Sequence, residues 1–248
     1  MSPYTGRLAP SPTGLLHLGH AATFLTAHDR ARAAHGHLLL RIDDLDPQRS
    51  KDHFIQAARE DLLWLGLTWD AEFRQSHRLD RYRDALQQLV QMGLVYPCIC
   101  TRKDLQGATQ APHEDDDEPL YGNRCRPSEI MAGTLQANTN YRFRVPDGEI
   151  VHFIDLHNGP QSFTAGRDFG DFLIWRKDGL PSYQLASVLD DADMQVTEVV
   201  RGRDLLKSTA RQILLQRALA LPTPAYFHTD LLRHEHGQRL AKRNDALG

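Results

Sequence analysis

Residues 7–20, R-L-A-P-S-P-T-G-L-L-H-L-G-H, constrain this 248-residue chain more than any other stretch. They leave an extended segment, 6–10, and feed a helical run over 21–34. Ser11-Pro12-Thr13-Gly14 is turn chemistry: proline fixes φ, and glycine permits positive φ. A helix that opens near His17 offers unpaired N–H groups and partial positive charge, which suit a phosphate. His17 and His20 lie three apart on one helical face, and each can add a donor. Gly19 lets a base or ribose approach the backbone. The stretch therefore reads as the floor of a nucleotide site. Alone, an H-x-G-H tetrapeptide is also compatible with ordinary surface or core histidines. Its position, opening the first helix after the first strand, gives the functional reading its weight.

The next apolar run, Leu38-Leu39-Leu40-Arg41-Ile42-Asp43, predicts a second strand closing on acids. Strand, helix and strand at this spacing form a βαβ unit with a parallel sheet and a right-handed crossover. Ligands in such sheets sit at the carboxyl ends of the strands, so 7–11 and 43–46 share one rim. Gly36 is the expected C-terminal cap of the first helix, whose apolar positions are Ala22, Phe24, Leu25 and Ala33. A second helix over 53–65 presents Phe54, Ala57, Ala58, Leu62 and Leu65 on one face. A third over 79–92 carries Tyr82, Leu86, Leu89 and Val90 and stops at Gly93. From 95 to about 144 the texture changes to that of an insertion with a loop. Strand patterns follow over 141–145 and 150–153, and 169–175 with 181–185 reads as a return to the main sheet. A β-branched strand over 196–201 and a helix over 208–219 complete the pattern, ahead of a polar, basic tail from 233. The expected fold class is α/β.

Composition narrows the function. With 41% hydrophobic and 25% charged residues, the chain has the profile of a soluble globular protein. No apolar run approaches the roughly 20 residues needed to cross a bilayer, and the N-terminus lacks an apolar signal core. We expect a cytoplasmic protein with no membrane partner. A net charge of −3 and a pI near 6.5 argue against a general nucleic-acid coat protein. A local RNA contact is still compatible, because Arg201, Arg203, Lys207, Arg211 and Arg217 form a basic strip while 113–118 (H-E-D-D-D-E) is acidic.

Further constellations carry possible chemistry. Asp43, Asp44 and Asp46 at a strand end suit an ammonium group or an arginine, or a solvated turn in which Asp46 caps a helix starting at Pro47. Cys98, Cys100 and Cys125 are an odd count in a clustered arrangement, which favours metal or plain thiols over a disulfide. Zinc prefers four tetrahedral ligands; the fourth could come from Tyr121, His113 or an acid of the loop. Tyr183 and Arg201 sit in expected strands or strand ends, where both are ordinary structural residues. Arg gives a bidentate fork if the substrate has a carboxylate. A basic loop, Arg239-Leu240-Ala241-Lys242-Arg243, could neutralise charge on a leaving pyrophosphate, or simply be a solvated tail.

Together these motifs resemble those of the class I glutamyl-tRNA synthetases. H-L-G-H matches the class I histidine signature, and R-I-D-D-L-D is similar to the family's R-I-E-D-x-D. D-L-L-W-L-G-L-T-W-D, Y-P-C-I-C-T-R-K, P-S-Y-Q-L-A and V-V-R-G-R-D-L-L resemble family blocks in family order, and R-L-A-K-R stands where the K-M-S-K-S loop belongs. The resemblance spans nearly the whole chain. The C-x-C and Y-x-x-x-C pieces, with no anticodon-reading domain expected, resemble the short branch that glutamylates the queuosine base of tRNA(Asp). A catalytic fragment charging tRNA(Glu) is the alternative.

The resemblance implies a Rossmann-like parallel sheet with helices on both faces, in two halves (1–95 and 166–248) around an inserted zinc-bearing α+β subdomain (96–165). It implies that Arg7, Ala9, Ser11, Asp43, Tyr183 and Arg201 hold L-glutamate. His17, Gly19, His20 and Lys242 would line ATP, with Mg²⁺ escorting the pyrophosphate and His17, His20 and Lys242 serving catalysis. Cys98, Cys100, Tyr121 and Cys125 match the family's Zn²⁺ positions. The implied partners are ATP, L-glutamate and queuosine-containing tRNA(Asp), and the implied state is a monomer. Three departures stand out: Asp43 replaces a Glu, Arg239 a Lys, and Ala241 a Ser.

Overall fold

The computed structural model describes residues 3–100, 120–129 and 132–231. It opens with β1 (Thr5–Leu8), α1 (Leu18–Ala33), β2 (His37–Ile42), α2 (Asp52–Trp64), β3 (Ala71–Arg74) and α3 (Leu79–Gln91). β1 and β3 flank β2, and all three run parallel, in register Arg7↔Leu39 and Arg41↔Phe73. The βαβ reading of the N-terminal third therefore holds. β1 ends at Leu8, because the two prolines that follow cannot extend a ladder.

β4 (Val95–Cys98) and β5 (Asn140–Phe143) come next, then the hairpin β6 (Ile150–Asp155) and β7 (Gly159–Thr164), and β8 (Phe172–Trp175). Then follow α4 (Tyr183–Asp193), β9 (Glu198–Gly202), α5 (Leu206–Ala218) and β10 (Ala225–Thr229). β9 and β10 pair in parallel, and β10 meets β6 at Tyr226↔Asp155. The residue before β9 bonds the start of β1: Thr197 N–H donates to Thr5 O at 2.9 Å, and Thr5 N–H to Thr197 Oγ1 at 2.9 Å. The strands thus form a three-stranded sheet, β1-β2-β3, beside a four-stranded sheet, β7-β6-β10-β9, with β7 antiparallel on β6. β4, β5 and β8 form a separate antiparallel sheet.

Several expectations are corrected here. The segment 169–175 does not return to the main sheet; β8 completes the antiparallel sheet on β5. The segment 181–185 is not a strand: Pro181 makes one bridge to Trp175, and Ser182 caps α4 by accepting from Leu185 N–H. Ser182 at an N-cap outweighs the local apolar pattern. Within the segment expected as an insertion, 96–165, β6 and β7 pair into the sheet of β9 and β10. β3, β7 and β10 were not legible as strands: A-E-F-R and G-P-Q-S-F-T carry little β-branched character.

Two buried cores lie on opposite faces of β2. Leu38, Leu40 and Ile42 pack with Leu8, Phe24, Ile55 and Leu62. Leu39 faces the other way, into a larger core with Tyr82, Leu86, Phe143, Phe172 and Val188. A parallel strand covered on both faces needs such an uninterrupted apolar run. The buried face of α1 is Phe24, Ala27 and Ala31, whereas Leu25 and Ala33 are exposed. Among the described residues no helix is long and apolar enough to cross a membrane.

The end of α1 shows why Gly36 is needed. The left-handed residue is His35, with φ +50°, rather than Gly36. A Cβ on Gly36 would lie 2.4 Å from the Tyr4 carbonyl oxygen and 2.6 Å from Tyr4 Cβ. His37 N–H donates to that same carbonyl at 2.8 Å, so the backbones cannot separate cheaply. Gly36→Ala is therefore expected to destabilise the fold by about 1–3 kcal/mol through overpacking, read as a lower urea midpoint at unchanged slope. An unchanged midpoint would refute this reading of the contact.

Candidate functional site

The carboxyl ends of β1, β2, β9 and β10 share one edge, and a cleft of about 260 Å³ opens there. Arg7, Ala9, Ser11, His17, Gly19, His20, Asp43, Tyr183 and Arg201 all line it. Nine of the ten residues expected to contact glutamate or ATP thus meet in one place. The tenth, Lys242, lies outside the described residues, as do Arg239, Ala241, Arg243 and His113. Thr23, Phe24, Val200, Gly202, Asp204, Leu205, Asp230 and Leu231 also line the cleft and were not expected. Their signal was indirect: 202–205 follow Arg201 within the R-G-R-D-L-L block, and 230–231 follow the unrecognised β10.

His17 occupies the N-cap of α1. Its Nδ1 accepts from Gly19 N–H at 3.1 Å, and His20 Nδ1 accepts from His17 N–H at 3.4 Å. The neutral rings therefore carry their protons on Nε2, as donors. The two imidazoles stack at 3.7 Å between centroids. Gly19 is fixed by the same arrangement, since a Cβ there would stand 3.0 Å from His17 Cε1. The helix end thus combines a positive dipole end with two ring donors, a site suited to phosphate oxygens.

Three arginines form the opposite wall and its support. Arg7 is buried; its Nη1 donates to Val200 O at 2.7 Å, and its Nε lies 3.4 Å from Asp191 Oδ1. Burial lowers its pKa, with Asp191 opposing. Arg41 sits behind, donating to Asp191 at 2.7 Å and to both oxygens of Asp43 at 2.7 and 3.2 Å. Burial pushes Asp43 up to about 6 despite Arg41. Arg201 is buried on β9 and donates to Tyr183 Oη at 3.2 Å. Tyr183 is the first residue of α4, not a strand residue as expected, and is 39% exposed at the cleft mouth. Two close guanidiniums with a hydroxyl suit a carboxylate ligand.

Asp44 and Asp46 serve structure. Asp44 is buried and accepts from Ser76 N–H at 2.9 Å, Ser76 Oγ at 2.8 Å and Arg74 Nε at 3.0 Å. Asp46 does not cap a helix at Pro47; it closes a turn, accepting from Gln48 and Arg49 N–H, while α2 begins at Asp52.

A second cluster lies on the antiparallel sheet. Cys98, Cys100 and Cys125 bring their sulfurs within 4.8 Å of one another. Tyr121 Oη stands 3.7 Å from Cys98 Sγ and 3.5 Å from Cys100 Sγ, and accepts from Cys125 N–H at 2.8 Å. Tetrahedral zinc with bonds near 2.3 Å would set sulfurs about 3.8 Å apart. The donor set therefore fits a metal of that size. Burial raises the Cys125 thiol, but hydrogen bonding from Tyr121 and a backbone N–H outweighs it and lowers the thiol to about 7. Arg142, unremarked in the sequence, lies 3.9 Å over the Tyr121 ring and donates to Cys98 Sγ at 3.3 Å. Its charge offsets that of thiolates.

Comparison with known proteins agrees with this geometry. The family model for class I tRNA synthetases (E and Q), catalytic domain, matches residues 4–247. A glutamyl-Q tRNA(Asp) synthetase from Symbiobacterium thermophilum is 48% identical over 98% of this chain and 79% of its own length. A glutamate–tRNA ligase from Aquifex aeolicus is 39% identical over the full chain, which spans 53% of that relative. A solved glutamate tRNA ligase from Elizabethkingia meningosepticum, in complex with its amino acid, superposes with a TM-score of 0.82 at 28% identity, over 98% of this chain and 52% of its own. A parallel sheet with a histidine-opened helix at its carboxyl edge, matched by sequence from end to end, makes this chain a member of the class I tRNA synthetase (E and Q) catalytic-domain family.

Proposed function

We propose that the chain activates L-glutamate with ATP, without needing tRNA, and transfers it to the queuosine base at the wobble position of tRNA(Asp). The convergence of Arg7, His17, His20, Tyr183 and Arg201 on one cleft carries the first half. The 48% identity to a glutamyl-Q tRNA(Asp) synthetase, against 39% to a glutamate–tRNA ligase, favours this acceptor over tRNA(Glu).

The cleft has two ends with different chemistry. At one, Arg7 and Arg201 meet a carboxylate of glutamate, with Tyr183 alongside and Ala9 and Ser11 lining the pocket. Asp43 faces the ammonium; it is a short acid already engaged by Arg41, so the contact is made through water or by a small shift. At the other end, Gly19 and the stacked histidines take ATP. A glutamate carboxylate oxygen attacks the α-phosphate in line, forming one P–O bond as that to pyrophosphate breaks. Catalysis here is positioning and charge stabilisation, with His17, His20 and Lys242 donating to the phosphoryl oxygens. Mg²⁺, when bound with ATP, would supply charge neutralisation on the pyrophosphate. A hydroxyl of queuosine then attacks the mixed anhydride, releasing AMP.

Cys98, Cys100, Cys125 and Tyr121 would hold Zn²⁺, whose charge lowers the phenol pKa and fixes the fold of this sheet. We read the β4-β5-β8 sheet with this cluster as the subdomain facing the RNA acceptor, in a monomer working in the reducing cytoplasm.

Three measurements check the proposal. Glutamate-dependent ATP–pyrophosphate exchange should proceed without RNA, and labelled glutamate should appear on queuosine-containing tRNA(Asp) but not on the same tRNA lacking queuosine; labelling of tRNA(Glu) instead would overturn it. Lys242→Ala should depress exchange by roughly 10²-fold or more, as loss of one preorganised donor does, and unchanged exchange would remove Lys242 from the mechanism. Metal analysis should return about one zinc per chain, lost in Cys125→Ala with a lower melting temperature; a ratio near zero for the native chain would leave three plain thiols.

A further inference from the structure

Arg201 is held differently from the other buried guanidiniums of the main sheet. Arg7 and Arg41 share the carboxylate of Asp191. The side chains that hold Arg201 among the described residues are all neutral. Its Nη1 donates to Gln212 Oε1 at 2.8 Å and Tyr183 Oη at 3.2 Å, and its Nη2 to Thr209 Oγ1 at 2.7 Å. Its Nε donates to His228 Nε2 at 3.0 Å.

That last bond fixes the state of a fully buried imidazole. A ring that accepts at Nε2 carries its proton on Nδ1, and His228 Nδ1 lies 2.6 Å from Asp155 Oδ2. Burial and the charge of Arg201 lower His228 to about 4, outweighing Asp155, so the ring is neutral at neutral pH. Asp155 is itself held: Oδ1 accepts from Asn158 N–H at 2.8 Å and Asn158 Nδ2 at 2.7 Å, and Oδ2 from His228 N–H at 3.1 Å. A line of hydrogen bonds thus runs from a carboxylate on β6, through an imidazole on β10, to a guanidinium on β9 at the cleft, with Thr209 Oγ1 also 3.2 Å from His228 Nε2.

The intervening ring matters. A carboxylate placed directly on Arg201 would orient it but also compete with an anionic ligand for its charge. A neutral acceptor orients it and leaves the charge facing the cleft. We propose that His228, anchored by Asp155, is a positioning residue that aims Arg201 as an unneutralised cation and so sets the affinity for the substrate carboxylate. This rests on the reading that Arg201 meets glutamate. His228 and Asp155 do not themselves line the cleft, so their effect on a ligand passes through Arg201.

The test compares His228→Leu, His228→Gln and Arg201→Leu by pyrophosphate exchange, with KM read separately for glutamate and ATP and folding checked by thermal melting. Leu removes the acceptor and should raise the glutamate KM about tenfold or more, leaving the ATP KM within about twofold. Gln restores an acceptor and a donor, and should return the glutamate KM to within about threefold of native. A His228→Leu enzyme with native glutamate KM, or with both KM values raised together and a depressed melt, overturns the proposal. If the Leu variant does not fold, Gln alone decides: a tenfold rise at native melting temperature overturns it. Arg201→Leu separates the two layers, because an unmoved glutamate KM there removes Arg201 from the glutamate site whatever His228 does.

Discussion

The carboxylate of Asp191, set between Arg7 and Arg41, is the contact on which the cleft depends. Arginines inside a parallel sheet are costly, since a buried guanidinium without a partner leaves several kcal/mol of desolvation unanswered. Asp191 comes from α4, so answering that charge docks the helix against β1 and β2. Docking α4 places Tyr183 at its first turn beside Arg201, and Arg201 in turn spans to β10. One buried ion cluster thus sets the relative positions of the strands and the helix that bound the arginine-lined end of the cleft.

The two ends of the cleft are stabilised by different physics. The end at His17 and His20 is a helix terminus, built from local hydrogen bonds between residues within three positions of each other. The arginine-lined end also needs contacts between residues 150 or more positions apart, such as Arg41 with Asp191 and Arg7 with Val200. Local motifs of the first kind appear as short strings in a sequence; assemblies of the second kind do not.

That difference explains what could be read in advance. The β1-α1-β2 unit was legible because its periodicity, turn residues and apolar run agree. H-L-G-H was legible because its spacing is itself the geometry. Arg7 and Arg201 as a pair came from family resemblance, not from their local sequence. Asp191 and His228 escaped because an aspartate in D-D-A-D and a histidine in Y-F-H-T have no local mark of what they touch. β8 was assigned to the wrong sheet for a related reason: F-L-I-W fits any covered strand, and pairing partners are chosen by tertiary packing. At Gly36 the sequence pointed to the right residue for the wrong cause, since close approach to Tyr4 requires it rather than a left-handed turn.

The stacked pair His17 and His20 has a thermodynamic consequence. Each ring is ordered by the folded chain itself, through its bond to a helix N–H and through the other ring. Immobilising a side chain at the moment of association costs roughly 0.5–1.5 kcal/mol, and for these two that entropy is already lost on folding. An anion arriving at this edge meets donors that are standing still.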